Sequence, residues 1–340
     1  MISDSKLMYI PDSWVKENIN IKESVVTVEN TLRDCGNGKI LLSRPSSMSL
    51  ETPLEDAATF KVKGAVLLNR GVAGFRLIGK EASVEGKRQK LSTYCYLTDM
   101  TSGIPFAVID EDTQYVTRAG AMTAVGLKLL ANLSDKKKLV IVGTGSIAYA
   151  AAQACIACLD LRELVIVARR AVSGEAFIKK IRPYTANNDI AVSLSYNIQE
   201  SISDADMVIT ATSANTSLLY PKWLPEGVTI CVVGGTQELA PDFLLQGGKI
   251  IVDDFDWCKH AGSIGAWIDQ GIYTETTIQD KIYGSVGDVA SGKLPGREKV
   301  SERVTIIMQG MASLDIAMGL MLFEKAKQSD DPRLQNIKLF

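Results

Sequence analysis

The chain has 340 residues, of which 46% are apolar, and a formal net charge of −2. This length can hold two domains and a large core, and the charge balance gives no electrostatic footprint for nucleic acid. Apolar stretches are strand-length or broken by glycine, the N-terminus shows no secretion signal, and there is only one histidine, so we predict a cytoplasmic protein with no membrane span and no metal site.

The N-terminal part predicts a strand at Leu7–Ile10 and a helix-like stretch through Val25–Leu32. Arg44 lies between an apolar strand and a proline, which keeps its backbone extended. Its residue type allows either a surface charge or an anion-binding group. Lys61 and Lys63 share one face of the next strand, because side chains repeat every two residues. Lysines on an edge strand are usually solvated, so their spacing alone assigns no role.

A hairpin and a helix come next. The hairpin pairs Tyr94–Leu97 with Pro105–Ile109, and Thr117 is a candidate N-cap for the helix that follows. Arg118 then falls in the first turn of that helix, where the helix dipole disfavours a cation. An anionic ligand is one reason for an arginine at this position.

The stretch LVIVGTGSIAYAAAQA predicts a strand, a tight glycine turn and an alanine-rich helix. Its Gly-x-Gly-x-x-Ala pattern suits a dinucleotide, since the glycines permit the turn and a close approach of the backbone to a pyrophosphate. A bare structural turn is the alternative. A second apolar strand, Leu164–Ala168, begins about one helix later, as a βαβ unit requires, and favours the dinucleotide. The candidate cofactor-binding residues here are Gly143, Thr144, Gly145, Ser146, Ile147 and Ala148.

Strand and helix patterns alternate from this point. The predicted strands are Leu139–Val142, Leu164–Ala168, Ile190–Ser195, Met207–Ala211, Val228–Val233 and Lys249–Val252. They predict an α/β fold with a Rossmann-type, doubly wound parallel sheet. The tail Val304–Glu324 reads as one long helix.

From Arg44 to Glu324 the order of motifs resembles the ornithine cyclodeaminase/μ-crystallin family. The matching pieces are Lys61 followed eight residues later by Asn69, LTDMTSGIPFAVID, VTRAGAMTA, GTGSIA, VITATSA, Gly234-Gly235 and QGMASLDIA. The stretches VDDFDWCKH and GKLPGRE are similar to the branch of N-(2-amino-2-carboxyethyl)-L-glutamate dehydrogenases of siderophore biosynthesis.

The resemblance implies an α-amino or α-imino acid bound beside a nicotinamide. It assigns carboxylate binding to Arg44, Lys61 and Arg118, with Lys61 also the catalytic candidate and Lys63 its replacement if the register differs. It adds Thr212, Gly234 and Gly235 to the cofactor site. It also implies a Rossmann domain over residues 119–314 and an α+β substrate and dimerisation domain over 1–118 and 315–340.

One departure from the family pattern concerns proton transfer. Cyclodeaminases carry an aspartate just after the glycine pair, whereas Thr236-Gln237-Glu238 follows it here. Glu238 could supply a carboxylate or could be structural. The missing aspartate weakens the case for cyclodeaminase chemistry.

Two arginines bear on the choice of cofactor. NAD-selective domains usually place Asp or Glu at the end of the second strand, but Arg169 and Arg170 follow Ala168 here. We therefore expect NADP(H) to be preferred, with NAD(H) also accepted. Both arginines being solvated loop residues is the alternative.

These observations predict an NAD(P)-dependent oxidoreductase that moves a hydride between nicotinamide and the α-carbon of an amino acid or its imine. The alternatives are an ammonia-releasing cyclodeaminase with bound NAD and a non-catalytic dinucleotide-binding protein of the crystallin type. The apolar strands Lys61–Leu68 and Tyr94–Ile109 would leave sheet edges to cover, so we expect a symmetric homodimer through the N-terminal domain.

Overall fold

The computed structural model describes residues 6–50, 58–81, 91–134 and 137–339. The chain divides into two compact units. Unit 1 comprises Met1–Arg118 and Met311–Phe340, and unit 2 is the continuous segment Ala119–Gly310. The chain therefore re-enters unit 1 at Met311, four residues before residue 315, where the sequence analysis placed this boundary. Within the described ranges, none of the helices is long and apolar enough to cross a membrane.

Strands and helices are numbered in chain order. The strands are β1 (Lys6–Ile10), β2 (Ile40–Leu42), β3 (Met48–Leu50), β4 (Thr59–Leu67), β5 (Val72–Lys80), β6 (Leu91–Asp99), β7 (Pro105–Asp110), β8 (Lys137–Val142), β9 (Leu161–Val167), β10 (Ala191–Ser195), β11 (Met207–Thr210), β12 (Thr229–Val232), β13 (Lys249–Val252), β14 (Ile282–Ser285), β15 (Val304–Ile307) and β16 (Gln335–Lys338). The α-helices are α1 (Asp12–Asn18), α2 (Ile21–Gly36), α3 (Asp112–Leu130), α4 (Ser146–Cys158), α5 (Ala171–Asn187), α6 (Ile198–Ile202), α7 (Phe243–Gln246), α8 (Phe255–Cys258), α9 (Gly262–Asp269), α10 (Glu275–Gln279), α11 (Val286–Ala290) and α12 (Ala312–Ala326).

Unit 1 is an α+β layer built on one mixed sheet. The strand order is β16-β1-β7-β6-β5-β4-β2, with β3 also paired to β4. Alternate residues of β4 and β6, such as Leu67 and Leu97, are fully buried, and so are Ile109 of β7 and Ile316 of α12. This alternation puts one face of the sheet against α12 and leaves the other face outside that core.

The prediction that the apolar strands of unit 1 leave open sheet edges is wrong. β4 pairs with β5 on one side and with β2 and β3 on the other. β6 lies between β5 and β7. Both apolar strands are therefore interior, because their hydrogen-bonding groups are already taken up by neighbouring strands. The edge argument for a dimer fails with them.

Unit 2 confirms the predicted doubly wound parallel sheet. Its strand order is β10-β9-β8-β11-β12-β15-β13-β14, and every pairing is parallel. The chain runs outward from β8 through β9 to β10, then returns to β11 on the other side of β8. The direction of winding therefore reverses between β8 and β11, which is where ligands bind in open α/β sheets.

The predicted helix Val304–Glu324 is wrong in its first part. Val304–Ile307 is β15, a fully buried strand between β12 and β13. Gly310, with φ of 85°, separates it from α12. A short, mainly apolar run such as Val-Thr-Ile-Ile cannot be assigned to strand or helix by periodicity alone, so this buried strand was predicted as the start of the helix.

The predicted helix start at Thr117 is also wrong. α3 begins at Asp112, and the Thr117 hydroxyl donates to the carbonyl of Thr113 from within the helix, at 2.9 Å. Arg118 therefore lies beyond the first turn. The dipole argument for an anion at Arg118 no longer holds, since that effect is confined to the end of the helix.

Candidate cofactor and substrate sites

The glycine turn at the end of β8 has the geometry of a phosphate cradle. Gly143 adopts φ of 127°, and a Cβ there would overlap the carbonyl oxygen of Ala211. Gly145 is exposed, and an ideal Cβ on it meets nothing within 4 Å, whereas Ala148 is fully buried. Gly145 is the N-cap of α4, and among the described residues no side chain caps this helix start. The first N–H groups of a 13-residue helix thus face an open space, which suits a pyrophosphate.

The other cofactor candidates of unit 2 follow neighbouring strands at the same edge. Thr212 comes after β11 and the Gly234-Gly235 pair comes after β12. Arg169 and Arg170 come after β9, and both are exposed. Because carboxyl ends of parallel strands meet at one edge, these residues share the edge that carries the glycine turn.

Glu238 is a buried structural carboxylate at this edge. Its Oε2 accepts from the Thr210 hydroxyl at 2.8 Å and from the Gly234 N–H at 3.0 Å. Its Oε1 accepts from the N–H and the hydroxyl of Thr212, both at 2.7 Å. The side chain is fully buried, and this burial raises the pKa of the carboxyl. Glu238 thus joins the ends of β11 and β12, which supports the structural alternative for this residue.

The two glycines of the pair have different reasons to be glycine. A Cβ on Gly234 would lie 2.7 Å from Oε1 of Glu238 and would overlap the rest of that carboxylate. Gly235 is exposed, and a Cβ on it meets nothing within 4 Å. Gly234 makes room for a side chain of its own unit, and only Gly235 faces open space.

In unit 1, Arg118 belongs to a buried chain of ion pairs. Arg118 is 2% exposed, and its Nε donates to Oδ1 of Asp315 at 2.7 Å. Oδ2 of Asp315 lies 3.5 Å from Nη1 of Arg76. The Nε and Nη2 atoms of Arg76 contact Oε2 of Glu111 at 2.9 and 2.7 Å. Two arginines and two carboxylates therefore alternate in the interior of unit 1.

Burial and neighbouring charge shift the ionisation of this chain. Burial raises the pKa of Glu111 to about 7, with the Asp315 charge adding to the rise and Arg76 opposing it. Burial alone would lower the pKa of Arg76, but the charges of Asp315 and Glu111 outweigh it and raise that pKa. The cluster therefore keeps Arg76 charged, and it gives Glu111 a pKa near neutral pH.

The remaining predicted cations lie on or beside β4. Lys63 is 6% exposed and stands opposite Arg76 in the β4–β5 register. Lys61, two residues earlier on the same face, is exposed. Arg44 is exposed too, in the loop between β2 and β3, where the N–H of Ser43 donates to the carbonyl of Gly64 at 2.9 Å. The structure thus brings the Arg44 loop against β4 and puts Lys63, rather than Lys61, in the buried part of that strand.

Comparison with known proteins identifies the family. Residues 7–330 match the sequence profile of the ornithine cyclodeaminase/mu-crystallin family. The chain belongs to this family. The predicted resemblance is therefore confirmed, over nearly the whole length of the protein.

Curated relatives in the family include several oxidoreductases. A Δ1-pyrroline-2-carboxylate reductase of Bacillus thuringiensis subsp. konkukian is 28% identical over 291 residues, which is 82% of this chain and 87% of the relative. An alanine dehydrogenase of Archaeoglobus fulgidus is 26% identical, covering 92% of each chain. An N-((2S)-2-amino-2-carboxyethyl)-L-glutamate dehydrogenase of Staphylococcus aureus is 24% identical, covering 76% of each. These relatives bear out the prediction of an oxidoreductase of this family.

Two solved structures share the fold over most of the chain. An archaeal alanine dehydrogenase dimer with bound NAD has a TM-score of 0.85 at 24% identity and covers 98% of this chain and 100% of that one. The Δ1-pyrroline-2-carboxylate reductase of Thermococcus litoralis, in complex with NADH and L-proline, has a TM-score of 0.82 at 19% identity and covers 94% and 98%. The first of these proteins binds NAD, and the second binds NADH.

Sequence reasoning missed Arg76 and Glu111. Arg76 falls at a position of β5 whose side chain points to the α12 face, among Lys63, Gly74 and Cys95. A charged residue on the apolar face of an alternating strand is a signal that could have drawn attention to it. Its partners are not close in sequence, so no local pattern could have supplied them.

Proposed function

We propose that this family member is an NAD(P)-dependent oxidoreductase that transfers a hydride between nicotinamide and the α-carbon of an amino acid or its imine. The observation that carries the proposal is the glycine turn with its uncapped helix, at the point where the winding of the unit 2 sheet reverses. The named activities of the relatives, which are imine reductases and amino-acid dehydrogenases, support the reaction type.

NADP(H) is the cofactor that the exposed charges favour. Arg169 and Arg170 stand where an NAD-selective domain usually carries a carboxylate. A guanidinium can pair with a 2′-phosphate, whereas a carboxylate would repel it. Arg169 is the main contact in this proposal, and Arg170 supports it. The two solved neighbours hold NAD or NADH, so NAD(H) is the competing choice.

The substrate is a small α-amino or α-imino acid held by its carboxylate. Arg44, Lys61 and Arg118 are the proposed ligands, and the burial of Lys63 beside Arg76 adds that lysine as a candidate. Arginine offers a planar fork of donors to a carboxylate, and lysine adds a point charge. These groups would bind and orient the substrate, while the nicotinamide, when bound, supplies or accepts the hydride.

A cyclodeaminase has less support from this chain. The aspartate expected after the glycine pair is absent from the sequence, and the nearby Glu238 carboxylate accepts four hydrogen bonds inside unit 2. A carboxylate held in this way is a poor proton carrier, because moving it would leave buried donors without an acceptor. The reductive reaction is therefore the better fit.

A symmetric dimer remains part of the proposal, on a new basis. The face of the unit 1 sheet turned away from α12 carries Phe60 and Phe75, which are 38% and 39% exposed. The Phe75 ring stacks on Tyr96 with 4.6 Å between centroids. Aromatic groups exposed together favour burial against a partner, and the archaeal neighbour is a dimer. A monomer by sedimentation at micromolar concentration would contradict this part.

The reaction is tested by following the reduced nicotinamide. Δ1-pyrroline-2-carboxylate, and pyruvate with ammonia, are offered with NADPH or NADH, and we expect net oxidation with at least one pair. Ammonia release from an amino acid without net cofactor turnover would indicate a cyclodeaminase instead. Binding of cofactor with neither reaction, across a wider panel of amino and keto acids, would indicate a non-catalytic protein.

The cofactor site has its own test with a matched control. Gly145→Asp adds a negative charge in the open space before α4, so we expect NADPH affinity to fall at least tenfold while the fold is kept. Ser203→Asp adds the same charge at an exposed residue after α6, just before β11 and thus at the opposite end of the strands. Equal cofactor affinity in both variants would contradict the proposed site.

A further inference from the structure

The buried ion pairs of unit 1 form one connected chain, Glu111–Arg76–Asp315–Arg118. Every member is at most 4% exposed. The ring of Tyr115 lies beside both guanidinium groups, with its centroid 4.9 Å from Arg76 Cζ and 5.1 Å from Arg118 Cζ. The two arginines are therefore held by carboxylates and by one shared aromatic face.

Asp315 is held through its backbone as well as through its side chain. It stands in the first turn of α12, where the helix dipole stabilises a carboxylate. Its carbonyl oxygen accepts from Nε2 of Gln114 at 2.7 Å and from the Cys95 thiol at 3.8 Å. Elements from three parts of unit 1 thus fix the residue that grips Arg118.

Some acceptor atoms in and beside this chain of ion pairs make no hydrogen bond to the described part of the protein, which is unusual for a purely structural network. Among the described residues, Oε1 of Glu111, Oε1 of Gln114 and Oδ2 of Asp315 are buried without a hydrogen-bond partner. Unsatisfied buried acceptors cost stability, and a well-packed apolar cluster would avoid that cost. Four buried ionisable groups retained at such a cost call for a role other than stability.

We propose that Asp315, supported by Arg76 and Glu111, is a positioning residue that presets the Arg118 guanidinium for the substrate carboxylate. This inference rests on the proposed function of Arg118. Asp315 contacts Arg118 at Nε and so fixes the direction that the whole guanidinium faces, because its five N–H donors lie in one fixed plane. Presetting it removes the rotamer entropy that the side chain would otherwise lose on binding.

The proposal distinguishes action through Arg118 from a general structural role. If Asp315 acts through Arg118, the effect of changing Asp315 must disappear once Arg118 is gone. If Asp315 only supports the fold, its effect persists in either background. A double-mutant cycle separates the two, since it isolates the coupling between a pair of residues.

The experiment uses the full chain and Asp315→Asn, Arg118→Ala and their double variant. The readouts are kcat and KM for Δ1-pyrroline-2-carboxylate, cofactor Kd, and quenching of bound NADPH or NADH fluorescence by L-proline, with pyrrolidine as the probe that lacks a carboxylate. We expect Asp315→Asn to raise KM and the L-proline Kd on the order of tenfold, with kcat changed less than about threefold. Cofactor Kd and the pyrrolidine response should stay unchanged, and Asp315→Asn should add less than about twofold to Arg118→Ala.

Two further variants keep the test decisive. Glu111→Gln acts one step further along the chain, so it should raise KM in the same direction by a smaller factor, and it replaces Asp315→Asn in the cycle if that variant does not fold. Asp34→Asn is the matched control, since Asp34 pairs with Arg70 elsewhere in unit 1 at 3.2 Å. Its KM should equal that of the wild type.

The outcomes distinguish a failure of the positioning role from a failure of the proposed function. An unchanged KM in Asp315→Asn and in Glu111→Gln, or an equal effect of Asp315→Asn with and without Arg118, would overturn the positioning role while the wild-type reaction stands. A wild-type protein that neither turns over an imine or amino acid nor binds L-proline would refute the proposed function, and the positioning role with it.

Discussion

Replacing Gly234 by alanine should unfold unit 2 far more readily than the same change at Gly235. The new Cβ would lie 2.7 Å from Oε1 of Glu238 and would overlap the other carboxylate atoms, so the carboxylate must leave its place. Four donors would then lose a charged acceptor: the hydroxyl of Thr210, the N–H and the hydroxyl of Thr212, and the N–H of residue 234.

The magnitude follows from those four hydrogen bonds. Hydrogen bonds to charged groups contribute about 1.5–3 kcal/mol each, and partial rearrangement recovers some of them, so we expect a loss on the order of 3–5 kcal/mol. For a unit of this size, each kcal/mol shifts the thermal midpoint by about 2–4 °C. Gly235→Ala meets open space, so its cost should stay within about 0.5 kcal/mol.

Urea and thermal unfolding of both variants, followed by circular dichroism, measure the difference. A third protein, Gly234→Ala in a Glu238→Ala background, isolates the cause. With the carboxylate already removed, the extra Cβ has room, so the second change should add little. Equal midpoints for Gly234→Ala and Gly235→Ala, or full additivity with Glu238→Ala, would refute the reasoning.

Three other predictions concern charged groups. Arg118→Ala should weaken substrate binding by about 2–5 kcal/mol and leave cofactor affinity nearly unchanged, as isothermal titration would measure; an unaltered substrate affinity would remove Arg118 from the site. Arg169→Ala should weaken NADPH binding and leave NADH binding unchanged. If the wild type binds NADH as tightly as NADPH or more tightly, the proposed preference for NADP(H) is refuted. Because the pKa of Glu111 is raised from 4.5 to about 7, the folded chain holds its proton more tightly, so the free energy of unfolding should fall as pH rises across that window. Glu111→Gln should flatten this slope in urea titrations, and a slope that matches the wild type would contradict the assignment.

The sequence was most informative where local pattern and fold coincide. Strand periodicity and the glycine turn located β8, β9, β10, β11, β12 and β13 and predicted that they form a doubly wound parallel sheet. β15 was predicted as part of a helix because its four buried residues, Val304–Ile307, are mainly apolar and show no distinguishing period. The start of α3 was displaced to Thr117 because a threonine inside a helix can bond its own preceding turn as well as cap one.

The site was less predictable because its contacts are distant in sequence. The candidates Arg44, Lys61 and Arg118 came from motif order, not from geometry, and their roles stay predictions. The partner of Arg118 is 197 residues away, and Arg76 and Glu111 are joined across 35 residues. Such pairs depend on strand register and helix packing, which local propensity does not encode.

The split course of unit 1 has a consequence for how the protein is made. Unit 2 is continuous from Ala119 to Gly310, whereas unit 1 needs α12 to cover its sheet and β16 to pair with β1. Domains generally fold as units while the chain emerges from the ribosome. An unfinished chain that ends before Asp315 can therefore complete its cofactor-binding half while Arg118 still lacks the carboxylate that holds it. The ion pair on which the proposed substrate grip depends is among the last contacts that synthesis permits, so truncated products should bind dinucleotide before they can recognise a substrate.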